Sequence, residues 1–249
     1  MKKVCLFVSL LIVNCIFLAA KSEEPENKFE DILQETTNKI LEKKIELGKK
    51  TSIIESGEIK FKVKRANLWF KEKSQDQDQK QLSEFVEIFL PGKLYTPGKE
   101  ITTIEKKDVD RSIIENAVAS VFSANRAGKL DWIVDNFIDK DKAKVKSLFK
   151  NKKILEASQT DSQKIVAVYL IGQADYKDSV LVFIEQDYID GRRVKESIAL
   201  KDTESGWKVT NEFSNDETFD IVFAALSSGE ISLKEKESSE KEPPKDSKS

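Results

Sequence analysis

The chain has no histidine among its 249 residues. That removes the commonest general base, the commonest metal ligand and every triad that uses imidazole. Its two cysteines, Cys5 and Cys15, lie close to the N-terminus. The remainder therefore has no thiolate nucleophile and no ligand set for an ordinary zinc site. No metal and no cofactor is expected. No disulfide can brace the remainder either, so its fold must rest on a hydrophobic core. An excess of one charge sign is also missing: 42 Lys and Arg stand against 44 Asp and Glu, for a formal net charge of −2. The signs are interspersed, which gives no nucleic-acid footprint. Any catalysis would fall to Asp, Glu, Lys, Tyr, Ser or Thr.

What is present starts with an export signal. Lys2 and Lys3 precede an apolar run over residues 4–20, and Ala20-Lys21-Ser22 fits a signal-peptidase site. The expectation is cleavage after Ser22, a periplasmic location and no membrane span thereafter. Two alternatives stay open. One is an uncleaved membrane helix, for which the run is at the lower limit of length. The other is lipidation at Cys15 in the loose lipobox Ile12-Val-Asn-Cys15, although apolar residues continue past it. Losing Lys2, Lys3 and Lys21 takes the net charge to about −5. The mature length suffices for one elaborated domain or two small ones.

Residues 27–47 carry Phe29, Ile32, Leu33, Thr36, Ile40 and Leu47 at helical spacing, with Gly48 as a stop. This amphipathic helix packs on the domain's own sheet or presents a face to a partner. The run EIKFKVK at 58–64 alternates with a period of two, as a half-buried strand does, and is expected to continue through 66–70. A polar loop at 74–80 lacks the spacing and turn glycine of a calcium loop. It leads to a second strand at 84–90, which Pro91-Gly92 ends, and Pro97-Gly98 marks a further turn.

Residues 110–127 are the strongest helix, with Ile113, Ile114, Ala117, Val118, Val121 and Phe122 on one face and Gly128 closing it. Shorter helices are expected at 131–137 and 139–149, the latter with Asp139 as cap. Five strands should follow at 153–159, 164–174, 179–188, 193–201 and 207–213. Asp190-Gly191 is a strong hairpin turn and Glu204-Ser-Gly206 a weaker one. The runs IVAVYLI at 165–171 and VLVFI at 180–184 are apolar almost throughout. Such strands are covered on both faces, by a helix on one and a further element on the other. Residues 218–226 read as a closing helix or strand. The expected domains are a signal at 1–22, an N-terminal helix and β extension at 23–107, an α+β domain at 108–226, and a disordered charged tail at 227–249.

Two stretches carry a resemblance. AGKLDWIVDNFID at 127–139 resembles the link between the first two helices of the NTF2-like (SnoaL-like, cystatin-like cone) superfamily, with Lys129 where an acid is usual. SGWKV at 205–209 resembles that family's entry to its final strand. The resemblance covers about residues 110–213 and implies a bent antiparallel sheet wrapped on a long helix around a conical cavity. It implies that enzymes of the family use an Asp, a His or Tyr residues there. Histidine being absent, inward candidates would be Tyr169, Asp175, Glu185, Asp187 and Tyr188; neighbours on a strand face opposite sides, so Asp187 and Tyr188 cannot both point inward.

Three functional classes follow. The first is a non-catalytic exported structural or interaction protein. Within it, the Lys/Glu/Ser-rich chain resembles the sheath proteins of spirochaete periplasmic flagella, flagellar-coiling ones in particular. That resemblance implies filament or sheath subunits as partners and a contribution to coiling and motility. The second is a carrier or sensor of a small apolar ligand bound by Val168, Leu170, Phe183 and Trp207. The third is a histidine-independent isomerase or cyclase, with Asp175, Asp187 and Tyr169 as catalytic candidates and a buried carboxyl as its requirement. The apolar inner strands favour a filled interior, with Trp207 as a plug at the end of the sheet.

Overall fold

The computed structural model describes residues 52–68 and 83–234. The export signal, Cys15, the 27–47 helix and the 74–80 loop lie outside them. In chain order the elements are β1 (Ile53–Lys64), β2 (Phe85–Glu100), α1 (Ile114–Ala127), α2 (Leu130–Asp135), α3 (Asp139–Phe149), α4 (Lys152–Gln163), β3 (Ile165–Tyr176), β4 (Ser179–Tyr188), β5 (Arg193–Lys201), β6 (Lys208–Val209), α5 (Glu217–Ser228) and β7 (Glu230–Leu233). The strands make one antiparallel sheet in the order β6-β5-β4-β3-β2-β1-β7. The fold is α+β.

Both faces of this sheet are buried, as the apolar runs in β3 and β4 require. On one face Val180, Val182 and Ile184 of β4 join Leu170, Ile198 and Leu200 against Ala117, Val118 and Val121 of α1. Leu181 and Phe183, one residue out of phase, face the other way and pack with Ile59, Phe61 and Val63 of β1 against Phe219, Val222 and Leu226 of α5. Phe183 meets Phe61 edge-to-face at 5.5 Å. The further element that the sequence expectation left unassigned on the second face is thus α5, and residues 218–226 are a helix. A third cluster, Trp132, Ile133, Val145 and Phe149, ties the helices together. Register shifts at Leu170/Gly172 and Leu94/Lys99 break the ladders on either side of β3. The first moves Ala174 onto the α5 face although Leu170, four residues earlier, faces α1.

The two stretches that carry the family resemblance meet in space. The Trp132 indole N–H donates to Ser120 Oγ (2.9 Å), which donates to Asn136 Oδ1 (2.6 Å). Arg111 Nη2 donates to the same Oδ1 (3.0 Å). From the second stretch, the Trp207 N–H donates to Arg111 O and the Val209 N–H to Asn136 O, each at 2.8 Å. Gly206 has φ 85, and a Cβ there would lie 2.4 Å from Arg111 O. Only glycine brings the turn close enough for Trp207 to reach that carbonyl.

Several expectations need correction. Residues 153–159 are not a strand: they lie in α4, whose Asn151 cap accepts the Lys153 N–H. The row Ile154, Leu155, Ser158, Ser162 has helical spacing, with polar members on the buried side. β2 does not stop at Pro91-Gly92 but runs to Glu100, because Gly92 allows β3 to close in; a Cβ there would sit 2.3 Å from Gln173 O. The 207–213 strand shrinks to Lys208–Val209. The 66–70 continuation of the first strand becomes the short turn Arg65–Asn67, with Trp69 and Phe70 outside the described residues. Asp139 is not the cap of α3, since the cap position is Ile138 and Asp139 belongs to the first turn. β1 and β2 are integral to the sheet rather than an extension at 107, and order continues past 226 through β7 because β1 supplies a partner for it.

Candidate functional site

The space between α1 and the sheet, where the resemblance implies a cavity, holds a packed layer: Val118, Leu170, Val182, Ile184 and Leu200 are each 0% exposed. Of the four ligand-binding candidates, Leu170 belongs to that layer and Trp207 is half-buried against it. Phe183 lies on the α5 face. Val168 lines a groove.

The groove has a volume of about 980 Å³ and lies outside the packed layer. One wall is the segment from Ile101 to Lys107, which enters a short helical turn at Lys106–Asp108, the other is the start of β3, and the floor includes Phe122 and Arg126 of α1. The groove arises because β2 pairs with β3 only as far as Glu100↔Tyr169. One more hydrogen bond, Ile101 N–H to Val168 O (2.8 Å), follows. The chain is then drawn over α1 by Ile104 N–H donating to Ser123 Oγ (3.0 Å).

A row of polar groups crosses the helix-facing side of the sheet. Tyr188 Oη lies 3.1 Å from both Asp161 Oδ2 and Gln186 Oε1, and Gln186 Nε2 donates to Glu196 Oε2 (3.0 Å). Burial raises the Asp161 carboxyl above its ordinary value. Burial likewise pushes Glu196 up to about 7, although part of that residue reaches solvent. Tyr188 is raised by burial and by the Asp161 charge. One hydroxyl proton cannot serve two acceptors. The Tyr188 hydroxyl therefore donates to Asp161 Oδ2 or to Gln186 Oε1, not to both at once. Asp161 Oδ1 is buried without a hydrogen-bond partner among the described residues, which agrees with the upward shift that burial imposes on its carboxyl.

The catalytic candidates are placed apart from this row. Asp175 is exposed. Asp187 and Glu185 share the opposite face with Tyr169, and both carboxylates engage Arg193 Nε, at 2.8 and 3.2 Å. Burial, then the Asp187 charge, raises the Tyr169 hydroxyl. Asp187 and Tyr188 do point to opposite sides. The carboxyls raised by burial are Asp161 and Glu196, joined through Tyr188 and Gln186, and sequence reasoning missed both. Asp161 falls in the misread α4 region, and Glu196 sits in RVKES, an alternation that reads as solvated edge strand. Among the described residues no group of three or more His, Cys, Asp or Glu side chains is arranged to hold a metal, and no helix is long and apolar enough to cross a membrane.

No protein-family model matches the chain, and no curated protein matches its sequence. Among solved structures, one described as an NTF2-like transpeptidase from Campylobacter jejuni matches over 39% of this chain and 97% of its own. The sequence identity is 12% and the TM-score 0.31. A likeness at that score carries nothing about this chain's chemistry.

Proposed function

We propose that the chain is a non-catalytic structural or interaction protein built on an NTF2-like cone. The observation that carries this reading is the packed layer of Val118, Leu170, Val182, Ile184 and Leu200 where a substrate would otherwise enter. Support for the cone comes from the joining of the 127–139 and 205–209 stretches through Asn136 and Arg111. With the interior filled, function falls to outer surfaces. Ile53, Ile54, Phe89 and Ile113 remain exposed there, at 64, 57, 42 and 46%.

The finer form of the proposal is an exported subunit of a periplasmic flagellar sheath that contributes to coiling and motility. It rests on the charged, Ser-rich sequence and on the absence of cysteine after residue 15. The test is antibody detection in purified periplasmic filaments. Enrichment with the filament supports it, and filaments free of the chain overturn it.

The groove gives one observation in favour of a second reading, a carrier of a small apolar ligand, since Val168, Ile101 and Phe122 line it. Native mass spectrometry of the chain purified from its source separates the two. A stoichiometric small-molecule adduct favours the carrier, and a bare chain removes it.

A further inference from the structure

We propose that the groove beside α1 receives an extended acidic peptide, which adds a strand to the free side of β3. The inference rests on the reading of the chain as an interaction protein and names the surface and the partner chemistry.

The backbone supplies the first argument. Ile165, Ala167 and Val168 have ladder partners in β4, at Tyr188, Asp187 and Gln186. On the β2 side the ladder ends at Tyr169. Among the described residues, the Ile101 N–H to Val168 O bond is the only backbone hydrogen bond between the diverging segment and β3. Arg126 reaches over from α1 and donates to Ile165 O (3.2 Å). Between these two contacts lies a stretch of strand edge with no strand beside it. Strand edges of this kind are templates for an incoming chain. An extended peptide satisfies main-chain groups here that a compact apolar ligand would leave unmade.

Charge supplies the second. Lys106, Lys107, Arg126 and Lys129 line the groove against Glu100 and Glu105, and Glu105 is paired with Lys107 at 3.1 Å. The chain as a whole is acidic, at −2, so this lining has the opposite balance to the molecule. Ile101, Ile104, Phe122 and Val168 provide apolar contacts between the cations. Alternating acidic and apolar side chains match that pattern, because successive residues of a strand point to opposite sides. A bilayer is less suited, since the apolar contacts lie in a cleft and not on a projecting surface.

The probe is an alternating Glu-Val octapeptide titrated into the purified, isotopically labelled chain and followed by amide NMR. The expected result is saturable shifts at residues 101–107, 122–129 and 165–168. Affinity should fall on the order of tenfold in the double variant Lys106→Glu, Lys129→Glu, whose two sites are exposed and leave the core intact. Shifts confined to other surfaces, equal binding of a Lys-Val octapeptide, or no loss on charge reversal would overturn the assignment. So would equal competition by inorganic phosphate or by phosphatidylglycerol vesicles, which would mark a general anion site. If the probe fails while the chain still occurs in a large assembly, the groove assignment falls and the interaction reading stands.

Discussion

At Glu196 burial raises the carboxyl to about 7 from an ordinary 4.5, while the Gln186 amide donates to it. A carboxyl with a folded pKa above its unfolded one holds its proton more tightly in the native state. The native state is therefore favoured at low pH, and stability is lost as pH rises from about 4.5 through about 7. Asp161 is raised by burial too and acts in the same direction. Glu196→Gln should remove about 1–2 kcal/mol of this pH dependence, the part-exposed group being screened. Urea midpoints for both proteins on either side of that window check it; equal slopes would show that Glu196 titrates normally. Phe183→Ala should cost about 3–5 kcal/mol, because its ring is 0% exposed and packs on Phe61. Chemical denaturation reads that loss directly. The sequence made Phe183 visible as an apolar strand residue but gave no indication of which face it takes. That side is set by strand pairing and by which of α1 and α5 covers each face, neither of which is local. Glu196 was illegible for the same reason: its charge pattern matches that of a solvated strand.

Helix α4 shows where local patterning succeeds and where it stops. Its sequence, KKILEASQTDSQ, carries good helix formers and an Asn cap. Serines and Asp161 occupy the buried side, so the apolar period that marks a helix is interrupted. α1 was legible because Ala117, Val118 and Val121 keep that period unbroken. Asn151→Ala should cost about 0.5–2 kcal/mol by removing the cap on the Lys153 N–H, measurable as a lowered melting temperature. At the other end of the chain, α5 covers the face built by Ile59, Phe61 and Phe183. Its β7 extension pairs Ile231 with Phe61 and Leu233 with Ile59. Truncation after Leu226 should therefore abolish cooperative unfolding or halve its amplitude, whereas truncation after Lys234 keeps it. Circular dichroism melts of the two lengths decide the point. The sequence placed the end of order at 226 because Glu230–Leu233 is too short and polar to signal a strand without β1 beside it.

At the scale of the whole molecule, the absence of histidine and the lone early cysteines already turned the reading away from imidazole and thiolate chemistry. The packed layer between α1 and the sheet adds a physical reason in the same direction. Leu170→Ala should open a void in that layer at a cost of about 2–5 kcal/mol while leaving the outer surfaces, and hence binding, unchanged. The Trp207 turn belongs to this scale as well. It joins two distant stretches through Arg111 and Asn136, so its value lies in closing the fold. Everything then depends on whether the chain works in company. Native lysate from its source, gently crosslinked and separated by size, tests that with an antibody to the chain. A structural or interaction protein will be found in a large assembly well above the 28.3 kDa of the full 249-residue chain, and a chain that runs alone at or below that mass would contradict it.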